Sequence, residues 1–396
     1  MRSILTPTEP TPSAQQPHPL LRLGFRPFYL LAALLAALSV PVWLASYKGL
    51  LPALPAANML WHMHEMVFGF GGAVIVGFLF TAGRNWTNLP TPAGAHLAAL
   101  ALLWLAGRGA MLLAPKEAAF VVDGAFLPLC ALAFGRVLVQ AQSKRNYPIL
   151  GILALLSLAN LLFHAAANGW IALSPFTPAH GAILMITVLE AVIGGRVIPM
   201  FTRNGAPGSQ PASVAWREKA SIALLAATAV VWVAGLPGIV VAPVAFAAGA
   251  INAWRLLGWA PFATVRVPLL WILHLAYAWV VAGLLLLGFA ALGIGSASSA
   301  FHALAVGGMA GLILGMITRT ALGHTGRMLR AGRAESAMYL LLQAGAVARL
   351  CANIIPAGIR DYLLLGSALA WSSAFLLYVF VYAPYLSQAR VDGREG

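Results

Sequence analysis

Residues 60–82 read LWHMHEMVFGFGGAVIVGFLFTA. After a short polar opening this is one apolar run. It has about the 20 residues that a helix needs to cross a hydrocarbon core of roughly 30 Å. The opening carries His62, His64 and Glu65, three side chains that are costly in lipid unless their polar atoms are engaged. An apolar helix led by ionisable residues is the pattern from which the rest of the chain is read.

Counting this one, twelve runs of that size can be drawn: 27–47, 60–82, 95–114, 118–141, 148–168, 178–201, 219–236, 238–257, 268–291, 299–321, 335–355 and 361–387. The division between the seventh and eighth rests on the turn signal Gly235-Leu236-Pro237-Gly238. Composition points the same way. Of 396 residues 61% are hydrophobic, and only 9% are charged against roughly 25% in an average soluble domain. With a mean hydropathy of +0.86, the chain has more apolar surface than a water-soluble globule of this size can hide, which argues against a soluble enzyme or a DNA-binding protein. The net charge of +14 does not indicate nucleic acid, because the basic residues occupy the short gaps between apolar runs. Cys130 and Cys351 fall inside apolar runs and read as small core residues; two cysteines exclude a disulfide scaffold or a cysteine-held iron–sulfur site.

The expected fold is all-α: a polytopic membrane protein of twelve transmembrane helices. Residues 1–21 form a disordered N-terminal arm without the apolar segment of a signal peptide, 22–387 one transmembrane domain, and 388–396 a C-terminal tail. The N-terminal arm, the even-numbered loops and the C-terminus hold eighteen basic residues, from Arg2 to Arg394, whereas the odd-numbered loops hold only Lys48, Lys116 and Arg360. Both termini are therefore expected in the cytoplasm.

On that map five histidines from four spans share the outer third of the membrane: His62 and His64 in span 2, His164 in span 5, His180 in span 6 and His302 in span 10. His18, His96 and His324 lie at or beyond span edges, and His274 lies nearer the inner side. Imidazole binds Fe, Cu or Zn through one nitrogen while the other hydrogen-bonds a supporting group, and helix bundles build such sites from inward-facing side chains. The five are candidate metal ligands; the alternative for each is a helix-to-helix hydrogen bond. At about 100° per residue His62 and His64 point roughly 200° apart. They can serve two centres on opposite sides of span 2, or one can bind while the other caps the helix. His62 shares a face with Glu65 and Met66. Glu65 is a proton relay or an interfacial carboxylate at the helix N-terminus; Met63 and Met66 are soft Cu(I) ligands or packing residues.

Spans 2, 6 and 10 look alike. Each opens with a histidine (His64, His180, His302) and closes with a Thr/Arg pattern at Thr81–Arg84, Thr202-Arg203 and Thr318-Arg319. The interval is four spans each time, so three four-helix units around a pseudo-threefold axis are expected. The ladder Gly307, Gly311 and Gly315 allows close helix packing, or leaves a flat surface for a planar macrocycle. Among the remaining charges, Glu190 near the middle of span 6 is the candidate intramembrane proton-transfer carboxylate. Arg108 and Arg349 either hold haem propionates or pair with Asp123 and Glu65.

The stretches Gly24–Phe28, Trp61–Gly69, Thr81–Thr87, Gly194–Asn204 and His302–Gly326 together resemble the NnrS family along essentially the whole chain. These are bacterial inner-membrane proteins that contain haem and copper and belong to the response to nitric oxide. The resemblance implies haem, of b type, and copper as cofactors, with nitric oxide or a related gas and an electron donor as partners beside the lipid bilayer. The layout is also similar, more distantly, to the catalytic subunits of haem–copper oxidases and nitric oxide reductases, but spans 7 and 10 lack their His-His and His-x-His pairs. Three functions stay open. One is a haem/copper oxidoreductase that consumes NO near the periplasmic face, with Glu65 or Glu190 delivering protons and His62, His64, His180 and His302 as axial ligands. The second is a non-catalytic haem or copper carrier or sensor. The third is a secondary transporter centred on Glu190.

Overall fold

The computed structural model describes residues 17–394. Among them every regular element is helical. In chain order we name α1 (Phe25–Tyr47), α2 (Met59–Thr87), α3 (Gly94–Leu113), α4 (Lys116–Gln140), α5 (Tyr147–Ala167), α6 (Phe176–Gly205), α7 (Ala215–Val233), α8 (Gly238–Gly258), α9 (Pro268–Ala291), α10 (Ala297–His324), α11 (Arg333–Cys351) and α12 (Ala357–Ser387). Ten of these are long and apolar enough to cross a membrane; α7 and α11 are not among the ten. The reason is local: Arg217, Glu218 and Lys219 enter α7 in its first turns, and Arg333, Glu335 and Arg349 fall within α11. Of the arm expected over 1–21, residues 1–16, with Arg2, lie outside the described residues, and Pro19–Leu21 form a 3-10 turn.

Chain punctuation follows elementary rules. Gly235 takes φ +65° after α7, and Pro237 then leads into α8, so the weakest division in the sequence is a tight reversal. Asn58 starts α2 by accepting hydrogen bonds from the backbone N–H groups of Leu60 at 2.9 Å and Trp61 at 3.1 Å. Inside α4 the regular helix stops at Gly124 and resumes at Phe126. Pro128 explains the break: it has no N–H to give to residue 124, and its ring crowds that carbonyl.

Burial orders the bundle. The apolar stretches of α2, α10 and α6 are 89%, 78% and 61% buried, more than those of the other seven membrane-length helices. These are the three helices that look alike in sequence, and they form the centre. α2 and α10 each contain a π-helical segment, Glu65–Gly71 and Ala303–Met309, that starts just after His64 and His302 respectively. A π turn adds a residue to the helical repeat and re-aims the side chains around it. Thr81, Thr202 and Thr318 each donate to a carbonyl one turn back. Each also meets a second helix: the Phe25 N–H at 3.0 Å, His274 Nε2 at 2.9 Å and the Tyr339 hydroxyl at 2.5 Å. The glycine ladder of α10 serves packing. A Cβ at Gly307, Gly311 or Gly315 would run into Trp279, Ala276 or Leu273 of α9, so no open flat surface remains there for a macrocycle.

Candidate metal centre

The N-terminal end of α2 sends its two histidines to different sides. His64 is fully buried and faces the broken part of α4 and the end of α5. Its Nε2 lies 3.0 Å from Asp123 Oδ2 and 2.9 Å from Asn160 Oδ1. His164 places its own Nε2 at 2.8 Å from the same Asp123 oxygen, and Asn160 donates to that oxygen from Nδ2 at 3.0 Å. Two imidazole nitrogens and a carboxylate oxygen thus fall within 4.8 Å of one another in a buried set that is able to hold a metal ion. Asn160 and His164 are four residues apart on α5 and therefore share a face.

A cation braces this group. Arg108, from α3, donates through Nη1 to Glu65 Oε2 at 2.7 Å and through Nη2 to Asp123 Oδ1. Glu65 turns its other oxygen toward His64 Nδ1 at 3.3 Å. Glu65 therefore contacts His64 and Arg108; the face it was expected to share with His62 is not the one it uses, since the π segment begins at Glu65. The guanidinium fits because Gly69 has no side chain: a Cβ there would collide with Arg108 Nη1 and come within 2.8 Å of Glu65 Oε2. Trp104 donates to the Gly69 carbonyl at 3.1 Å and lies under the guanidinium at 5.3 Å. Phe68, Phe163 and Phe120 pack around the imidazoles.

The other three histidines form a second group, with His302 neighbouring both His62 and His180. His62 stacks on Trp43, ring centres 4.3 Å apart, and its buried Nδ1 has no hydrogen-bond partner. His180 stacks face to face on Phe301 at 3.7 Å and receives the Trp232 indole N–H at 3.4 Å. His302 is tied through Nδ1 to the Ser298 carbonyl at 2.7 Å, which leaves Nε2 for another partner. Arg349 reaches this side too. It donates to Asn353 Oδ1 at 2.8 Å and Ser298 Oγ at 3.4 Å. The five candidate histidines are therefore divided in two: His64 with His164, and His302 with His62 and His180 as neighbours. Of the two arginines read as carboxylate partners, Arg108 holds both Glu65 and Asp123. Arg349 pairs with neither, because Arg108 already occupies them.

Glu190 lies apart from both groups. It lines an apolar cleft of about 90 Å³ bounded by Val74 and Phe78 of α2, Ile186 of α6, and Leu312 and Met316 of α10. Its Oε2 is buried and has no protein partner. Met63 and Met66 are partly buried and pack against the core. Reading from sequence missed Asn160 as a member of the site, although its i to i+4 relation to His164 was visible, and assigned Asp123 only to ion pairing.

No curated protein matches the chain. The family described as NnrS protein matches residues 19–390, nearly the full length. A multi-pass helical protein with histidines built into its most buried helix, this chain belongs to the NnrS family.

Proposed function

We propose that this is a haem- and copper-binding protein of the bacterial inner membrane that detoxifies nitric oxide at centres near the periplasmic face. The observation that carries the reading is the meeting of His64, Asp123 and His164 in a buried, water-poor setting. Two imidazoles and a carboxylate suit a first-row transition metal, copper included. In the second group of histidines, the orphaned Nδ1 of His62 and the free Nε2 of His302 would hold the iron of a haem, and Arg349 would pair with its propionates. His180 stands beside them as a further donor. When bound, these groups supply redox-active metal at which a small gas binds. The layout is twelve spans in three four-helix units with both termini in the cytoplasm.

The chain's own residues do the rest. Glu65, facing the other ring nitrogen of His64, and Asn160, donating to Asp123 Oδ2, orient members of the ligand set, as carboxylate and amide partners do for metal-binding imidazoles. Arg108 offsets the two carboxylates and keeps Glu65 against His64, where Glu65 Oε1 takes or gives a proton. The phenylalanines exclude water from the pair. Glu190, with a free oxygen in the central cleft, moves protons deeper in the membrane.

A second reading, a haem or copper carrier or sensor without turnover, is favoured by one feature. Both nitrogens of His64 already face protein oxygens, so the network is complete without a reacting ligand. A transporter centred on Glu190 is favoured by the cleft alone. Purified protein separates the three by optical spectra of its reduced and oxidised forms and by NO consumption under reductant. Repeated turnover that disappears when His62, His64, His164, His180 and His302 are replaced supports the first reading. Bound cofactor with a single stoichiometric uptake supports the second. Absence of haem, with Glu190→Gln more damaging than His64→Ala, supports the third.

A further inference from the structure

Arg26 is fully buried, yet no carboxylate among the described residues meets it. Its Nη1 donates to the backbone carbonyls of Leu386 at 2.9 Å and Gln388 at 2.8 Å. Its Nε and Nη2 are buried without a hydrogen-bond partner. Its charged neighbours are Arg22, Arg327 and Arg390. Arg327 lies over the Tyr385 ring at 3.8 Å and also has a buried, unpartnered nitrogen, Nη1. His324 joins them, its ring 5.4 Å from that of Phe25. Among the described residues two carboxylates stand nearby and both are taken. Asp392 receives Arg390 through both oxygens, at 2.9 and 2.5 Å. Glu335 accepts from the Gly332 N–H at 2.7 Å and from the Tyr382 hydroxyl at 2.9 Å. Among the described residues four guanidinium groups thus gather at one end of the bundle, and one carboxylate pairs with them.

Like charges packed this way repel, and an unpaired buried cation is expensive. A counter-anion with several oxygens removes both costs at once, because the planar guanidinium donates in pairs to phosphate. We propose that this end of the bundle, where both described termini meet, is a binding site for a phosphate group. The group comes from the headgroup of an anionic phospholipid or from free phosphate. Arg327, Arg22 and Arg390 are each half-buried and reach it from the outside, while Arg26 lies beneath and raises the positive potential. The surroundings suit a lipid. Met328 and Leu329 are 78% and 49% exposed, and they lead into an open groove lined by Arg330, Arg333 and Leu340. Basic side chains beside exposed apolar ones at the end of membrane helices are what a headgroup with its acyl chains requires.

The test uses the delipidated full chain in detergent. Native mass spectrometry compares retention of phosphatidylglycerol and phosphatidylcholine, and thermal unfolding is followed with added inorganic phosphate. Preferential retention of phosphatidylglycerol, displaced by phosphate, is expected. Arg327→Gln should weaken retention about fivefold, the worth of one basic residue at a charged membrane surface. Arg136→Gln, an exposed arginine elsewhere, should not change it. Arg26→Lys keeps the buried charge that raises the potential, and should change retention less than Arg327→Gln does. Stabilisation by phosphate that Arg327→Gln removes, without headgroup preference, supports the site and names free phosphate as its source. Equal retention of both lipids with no effect of phosphate, or equal weakening by Arg136→Gln and Arg327→Gln, overturns the proposal.

Discussion

His64 Nε2 lies 3.0 Å from Asp123 Oδ2, joining the most buried helix of the bundle to the break in α4. That contact is possible because Pro128 interrupts α4 one turn beyond Asp123 and because α2 changes its helical repeat just after His64. Arg108 binds the other oxygen of Asp123 and one oxygen of Glu65, so two acids, one arginine and two histidines form a single buried unit.

Removing the brace should be costly. Arg108→Met leaves Glu65 and Asp123 buried without their cation, and should destabilise the protein by about 3–5 kcal/mol. Thermal unfolding in detergent reads the change. Adding Glu65→Gln to Arg108→Met should recover part of the loss, since one uncompensated carboxylate is gone. A double variant no more stable than the single one would mean that Glu65 and Arg108 do not act together.

Gly69→Ala tests the space under the guanidinium. The added methyl meets Arg108 and Glu65 Oε2 at once, and overpacking of this kind costs about 1–3 kcal/mol. The Trp104 indole bond to the Gly69 carbonyl should weaken as well, which Trp fluorescence can follow. Unchanged stability and an unchanged spectrum would show that Arg108 is not seated against residue 69.

At the other end of the molecule, Arg390 and Arg394 hold the Asp392 carboxyl below the ordinary carboxylate range, hydrogen bonding from Arg390 being the main cause. A carboxylate whose pKa is depressed by folding contributes fully above its unfolded value and less as pH falls toward its folded one. The C-terminal strap, which also bonds Thr325 through Val391 and His324 through Arg390, should therefore stay closed at neutral pH. It should loosen only below the ordinary value of 3.8. Hydrogen exchange of residues 388–393 across that range measures it. Loss of protection already near pH 5 would contradict the assignment.

Much of this was legible from residues alone. The apolar runs were legible because lipid tolerates little else, and the reversal at Gly235–Gly238 because a glycine with positive φ and a proline are unmistakable there. The opposite directions of His62 and His64 followed from 100° per residue. Asp123 and Asn160 as partners of His64 were not legible, because that meeting is between α2, α4 and α5, and no local pattern encodes which helices are neighbours. The π segments were also hidden: the glycines mark only that the backbone there is unencumbered. Of the two alternatives for Arg349, charge alone could not show that Arg108 holds both carboxylates and so leaves Arg349 without either.

The central claim is that α2 serves two separate centres, one on each side. Metal and haem content of the purified protein tests it most directly, measured for the parent chain, His164→Ala and His302→Ala. The account predicts that His164→Ala loses copper and keeps haem, while His302→Ala loses haem and keeps copper. Loss of both groups in each variant, from protein that remains folded, or retention of both, would contradict it.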